Sequence, residues 1–189
     1  MARRAAGSLL AGHAGLTWAS ASYAYLAHTP VTSPPTNNQD QNQNENSPCL
    51  SCNRAHQLQK VVAKAYRGAG LDAPVCADDI TFEDPLVKCS GKEEVHKCFR
   101  ALKLCSPEQL QPPVARAGNH SGVTEVMLYQ RYFGVYDVKS ILVVNTGPNG
   151  LITSLEERWN GTNLLHSPPF QWSRRLNGLI CKFICNVIL

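Results

Sequence analysis

Residues 123–159 read VTEVMLYQRYFGVYDVKSILVVNTGPNGLITSLEERW, and this stretch decides the fold. It is rich in Val, Ile, Leu and Tyr, and Gly147-Pro148-Asn149-Gly150 is an explicit turn at which a chain reverses between two strands. Val123–Val138 reads as one strand region, Lys139–Thr146 as the next and Leu151–Trp159 as the last, with Asp137-Val138-Lys139 as the short link between the first two. Side chains alternate across a strand, so Val126, Leu128, Gln130, Tyr132 and Tyr136 share one face, while Met127, Tyr129, Arg131 and Phe133 share the other. On the last strand Glu156 and Arg158 lie with Ile152 and Ser154, whereas Glu157 lies with Leu151, Leu155 and Trp159. The pattern does not choose which face is concave. Either a Glu156–Arg158 pair or Glu157 enters a pocket on that side.

Upstream the period changes. Leu58, Val61, Val62 and Ala65 recur at i, i+3, i+4 and i+7 until Gly68 and Gly70 stop the pattern, which describes an amphipathic helix. Ile80-Thr81-Phe82-Glu83 alternates as a short strand, ended by Asp84-Pro85. A second helix is expected from Ser90, with Ser90 and Glu93 as a capping box, Val95, Cys98, Phe99 and Leu102 as its apolar stripe, and Pro107 beyond its end. Helices followed by a run of strands give an α+β domain, its N-terminal helices packed on one face of a curved antiparallel sheet.

This order resembles the NTF2-like superfamily of SnoaL-type domains, and three local matches add to it. Ala77-Asp78-Asp79-Ile80-Thr81-Phe82-Glu83-Asp84-Pro85 is similar to the segment entering that family's first strand. Gly91-Lys92-Glu93-Glu94-Val95 is similar to its helix start, and Ile152–Trp159 with Asn160-Gly161 is similar to its closing strand. The resemblance implies a cone with an internal pocket. Enzymes of the superfamily, such as ketosteroid isomerases, scytalone dehydratases and polyketide cyclases, place an Asp or a His–Asp pair in that pocket, often with Tyr. Other members use the cone for binding or assembly alone.

Such chemistry needs a partly desolvated base facing donors that stabilise an enolate-like oxyanion. The candidates for catalytic roles are Asp79, Asp84, Tyr132 and Glu157. The expected pocket lining is Phe82, Tyr129, Tyr132, Tyr136, Glu156, Arg158 and Trp159. Each has a plainer explanation: the aspartates also suit turn caps, and a buried Tyr needs only a satisfied hydroxyl. His96 flanks a helix stripe, and His120 sits in a loop without a local carboxylate, so neither is favoured as a base.

The remaining features concern the ends of the chain and its partners. With 43% hydrophobic and 17% charged residues the chain is globular rather than wholly disordered. Its formal net charge of +4 forms no dense basic stripe through the middle, which argues against nucleic-acid binding. Of eight cysteines only Cys49 and Cys52 form a CxxC, and no second pair completes a four-ligand metal site. Free thiols, no metal and no cofactor are therefore expected. Residues 1–31 carry Arg3 and Arg4 and no acid, as in a targeting leader for a mitochondrion or plastid; an endomembrane or cytoplasmic protein is the alternative. The sequons Asn119-His120-Ser121 and Asn160-Gly161-Thr162 belong with a secretory compartment.

Residues 32–52 read as a low-complexity linker, 53–165 as the NTF2-like domain and 166–189 as an amphipathic C-terminal segment. In that segment Leu176, Leu179, Ile180, Phe183, Ile184 and Val187 recur at helical spacing opposite Arg175, Lys182 and Asn186. The helix is too short to span a bilayer and suits a membrane surface through 174–189, a homodimer or a larger protein complex. The expected function is a non-catalytic binding or assembly module attached through that helix. The alternative is a small pocket enzyme of the isomerase, dehydratase or cyclase type acting on a small apolar, ketone-like ligand.

Overall fold

The computed structural model describes residues 50–164 and 166–187. The leader, most of the linker and Cys49 lie outside the described residues. Helix α1 spans Leu50–Lys64 and continues as a wider turn through Ala65–Ala69; a short turn at Ala73–Val75 leads into strand β1, Cys76–Glu83. Strand β2 is Lys88–Ser90 and helix α2 is Lys92–Ala101, followed by a tight turn at Leu102–Cys105. Strands β3 (Glu108–Ala117), β4 (Val123–Tyr132), β5 (Tyr136–Thr146) and β6 (Ile152–Trp159) complete the sheet, and helix α3 spans Pro168–Val187.

The six strands form one open, curved sheet in the order β2-β1-β6-β5-β4-β3. Helices α1 and α2 cover its concave face, the α+β arrangement that the NTF2-like resemblance implies. The face left open by the sequence is now assigned. Val126, Leu128, Gln130 and Tyr132 of β4, Val138, Ser140, Leu142 and Val144 of β5, and Leu155, Glu157 and Trp159 of β6 are all buried beneath the helices. Leu58, Val62 and Tyr66 from α1 and its extension, with Val95 and Phe99 from α2, fill the space above them. The Phe99 ring lies 4.8 Å from Phe82 and meets Tyr66 edge-on at 5.2 Å.

Four details differ from the sequence reading. The sheet is mixed: β1 pairs parallel with β6, because the chain leaves β1 at one side, builds the far half of the sheet and returns beside it. Strand β3 is absent from the sequence reading, and it contains Pro112 and Pro113. They are accommodated because β3 is an edge strand, and its register with β4 shifts on either side of Gln111. The β4–β5 reversal falls at Phe133-Gly134-Val135, where Phe133 and Gly134 take positive φ, and Asp137–Lys139 lie inside β5. No Ser90 capping box forms: Ser90 is held in β2 opposite Thr81, and Gly91 stands at the start of α2 with its N–H bonded to Ile80 O at 2.7 Å.

Helix α3 packs across α2 and β2 through largely polar contacts. Buried Arg174 pairs with Glu83 at 2.6 Å, Arg175 forks onto Glu94, and Asn177 donates to Leu86 O at 2.8 Å. Lys182 lies 3.6 Å from Glu93. The basic residues of this helix thus pair with acids of the domain, Arg174 buried and Arg175 and Lys182 partly exposed. At the closest approach stands Gly178, where a Cβ would collide with the Lys88 carbonyl oxygen. Alanine favours an isolated helix by about 1 kcal/mol over glycine, so this position reflects proximity rather than helix propensity. Gly178→Ala is expected to cost about 1–3 kcal/mol by overpacking and to lower the calorimetric Tm by roughly 5 °C. An unchanged Tm would mean that α3 is not seated at this position.

Candidate active site

Beneath the helices, between the β4–β5 end of the sheet and α3, lies a cavity of about 160 Å³. Its walls are mainly apolar: Phe82, Phe99, Leu102 and Trp159 on the inside, with Cys181 and Ile184 of α3 closing one side. Two carboxyl groups, Asp84 and Glu157, and two phenols, Tyr66 and Tyr132, open onto the same space.

The parallel pairing of β1 and β6 brings the carboxyls together. Phe82 pairs with Leu155 and Glu83 with Glu156, so Asp84 and Glu157 stand one step beyond, on strands about 4.8 Å apart. Both are buried, at 5% and 3% exposure. Asp84 Oδ1 accepts the backbone N–H groups of Leu86 (2.7 Å) and Val87, which also closes the turn after β1. Glu157 accepts Tyr66 Oη at 2.7 Å and Ser140 Oγ at 2.6 Å. Tyr132 Oη donates to Gln130 Oε1 at 2.5 Å.

Burial is the main influence on both acids. It pushes Asp84 up to about 7, helped by repulsion from Glu157 and opposed by the two backbone donors and by Arg174. Burial also raises Glu157, against the hydrogen bonds from Ser140, Tyr66 and Trp159 that favour its ionised form. Tyr66 and Tyr132 are held well above the ordinary phenol value by burial and by the Glu157 charge, so both remain protonated donors. The thiols of Cys98 and Cys105 are not activated. Neighbouring Cys181 and Cys89, and then burial, hold Cys98 well above its usual value, and burial pushes Cys105 up to about 12.

Of the residues singled out in the sequence, Asp84, Glu157, Tyr132, Phe82 and Trp159 line this cavity. Asp79 does not: it is exposed on β1. Tyr129, Glu156 and Arg158 lie on the opposite sheet face, where Arg158 pairs with Glu156 at 2.7 Å and Tyr129 stacks under the Lys139 ammonium. Their placement follows from strand alternation once Glu157 and Trp159 turn inward. Tyr136 packs edge-on against Phe133 at the sheet end, outside the cavity lining. His96 Nδ1 sits 2.8 Å from Leu71 O beside α1, and His120 is exposed. Tyr66 and Ser140 were missed. Tyr66 extends the Leu58, Val62 spacing by one more turn, and Ser140 alternates with Val138 and Leu142, so both signals were present. Among the described residues no group of three or more His, Cys, Asp or Glu is placed to hold a metal ion.

No protein-family model matches the chain, and no curated protein matches it. Among solved structures, it is similar to a steroid delta-isomerase from Pseudomonas aeruginosa, with a TM-score of 0.43 and 13% identity, over 71% of this chain and 89% of that one. It is also similar to an uncharacterised protein with a cystatin-like fold from Silicibacter pomeroyi (TM-score 0.42, 14% identity, 70% and 82% of the two chains). A third likeness is to SalBIII, an epoxide hydrolase/cyclase-like enzyme of pyran ring formation in salinomycin (TM-score 0.43, 19% identity, 56% and 93%). The fold is defined by this chain's own strand order and burial.

The raised acids make stability depend on pH with a definite sign. A carboxyl whose folded value lies above its unfolded value of about 3.9 contributes stability that is complete below that value and lost as pH rises through about 7. Asp84→Asn retains an oxygen for Leu86 and Val87 and removes the charge. Its Tm is expected to exceed that of the parent by roughly 5–10 °C at pH 8 and to match it near pH 4. Parallel Tm–pH curves for the two proteins would show that Asp84 is not a raised acid.

Proposed function

We propose that this domain is a small pocket enzyme that moves a proton on a largely apolar carbonyl compound, in the isomerase, dehydratase or cyclase class. The observation that carries this reading is the pair of buried carboxyls, one of them near 7, opening onto an apolar cavity that also holds two phenol donors. A group with that value is present in both protonation states at neutral pH and can accept and return a proton in one cycle.

The cavity bounds the ligand. At about 160 Å³ it is close to a cavity of about 150 Å³ that holds benzene, and well below the 300 Å³ or more of drug-sized sites. A compound of about one ring fits. With a ketone seated there, the C–H bond next to the carbonyl breaks, its proton passes to the Asp84 carboxylate, and the electron pair moves onto the carbonyl oxygen. The phenols of Tyr66 and Tyr132, both protonated and both on the cavity wall, supply the hydrogen-bond donors for that oxygen. Returning the proton from Asp84 to a different carbon completes an isomerisation.

The reading as a binding or assembly module without chemistry draws on a different observation, the apolar side chains that α3 turns away from the domain. Proton exchange separates the two. Wild-type protein in D₂O is expected to accelerate deuterium uptake next to the carbonyl of cyclohexenone-sized ketones, followed by proton NMR. Asp84→Asn is expected to lower that acceleration by about 10²–10⁴-fold. Ketone-induced stabilisation without exchange would instead favour the binding module.

A further inference from the structure

Helix α3 is amphipathic in an inverted sense. The side facing the domain carries Arg174, Asn177, Gly178, Cys181 and Cys185, joined to it by ion pairs and hydrogen bonds. The side facing away carries Trp172 (78% exposed), Leu176 (58%), Leu179, Phe183 (56%) and Val187, with Ile180 at its edge. At 100° per residue these six positions fall within an arc of about 100° directly opposite the docked side. From Trp172 to Val187 the stripe runs for about 24 Å along the helix. Scattered exposed apolar residues are ordinary, but a continuous stripe marks a contact surface.

Charge identifies what the stripe meets. Helix α3 contains no acid, and residues 88–103 together with α3 hold eight Lys or Arg against Glu93 and Glu94 alone. Adding the acids that pair with them from β1, Asp78 and Glu83, leaves an excess of four positive charges in this layer. That equals the formal net charge of the whole chain. An apolar stripe with a Trp on it, backed by a positive layer, is complementary to a lipid surface that presents acyl chains beneath anionic headgroups. No helix among the described residues is long and apolar enough to cross a membrane, so the helix would lie in the interface plane.

We infer that the outward face of α3 docks onto an anionic phospholipid bilayer. The inner face of the same helix supplies Cys181 and Ile184 to the cavity wall, which places the cavity within about one helix diameter, 10–12 Å, of the lipid. The docking stands whatever chemistry the cavity performs.

The test is co-sedimentation of the full-length chain with vesicles of phosphatidylcholine alone and of phosphatidylcholine with one-fifth phosphatidylserine, alongside Leu176→Gln/Phe183→Gln. Both substituted side chains are exposed, and an unchanged Tm checks that folding is kept. The expected result is binding that is stronger on the anionic vesicles, falls with added salt and drops at least tenfold in the double variant. Equal binding by parent and variant would move the attachment elsewhere in the chain and overturn the inference. So would a parent that ignores both vesicles, or a dimer by light scattering that the same substitutions convert to monomer, because a second copy would then cover the stripe.

Discussion

The parallel pairing of β1 with β6 is the constraint on which the site depends. It joins a strand that ends at Glu83 to one that ends at Trp159, and it sets Asp84 beside Glu157 although 73 positions separate them in sequence. Two carboxyls so placed beneath a helical layer cannot both ionise without a large electrostatic cost. The surroundings respond by supplying donors: two backbone N–H groups at Asp84, and Tyr66 and Ser140 at Glu157. A wholly apolar floor would fold at least as well, so the retained acids are the feature that calls for a functional explanation.

The C-terminal helix carries opposed chemistry on its two sides. Its inner side is tied by Arg174 to Glu83, the residue preceding Asp84, and the Arg174 charge itself moderates the rise in Asp84. The helix that walls the cavity is therefore coupled to the acid at its floor. A change in how α3 sits would alter both the cavity and the charge balance at Asp84. The outward stripe is thereby physically connected to the cavity through the body of the helix.

Much of the cone was legible because its signals are local. The Gly147–Gly150 turn, the alternation from Val126 to Tyr132 and the i, i+3, i+4 spacing from Leu58 to Ala65 each depend on nearby residues, and each element is present. Strand β3 was hidden because Pro112-Pro113 is tolerated only at a sheet edge, and edge position is a property of the assembled sheet. The site was half legible. Asp84, Tyr132 and Glu157 stood out as residue types, but alternation alone allowed Glu156 and Arg158 to take the inward face. Their juxtaposition depended on a parallel join that no local pattern encodes. Tyr66 and Ser140 became recognisable only as the donors to Glu157.

Asp84 and Glu157 thus share a buried site in which one acid, Asp84, is raised to about 7. Carbon-detected NMR of the side-chain carboxyls, followed from pH 3 to pH 9, reads this directly. Asp84 is expected to titrate near pH 7, and Glu157→Gln to lower its midpoint, because a repelling charge is removed. Asp84 titrating near 4, unmoved by Glu157→Gln, would contradict it.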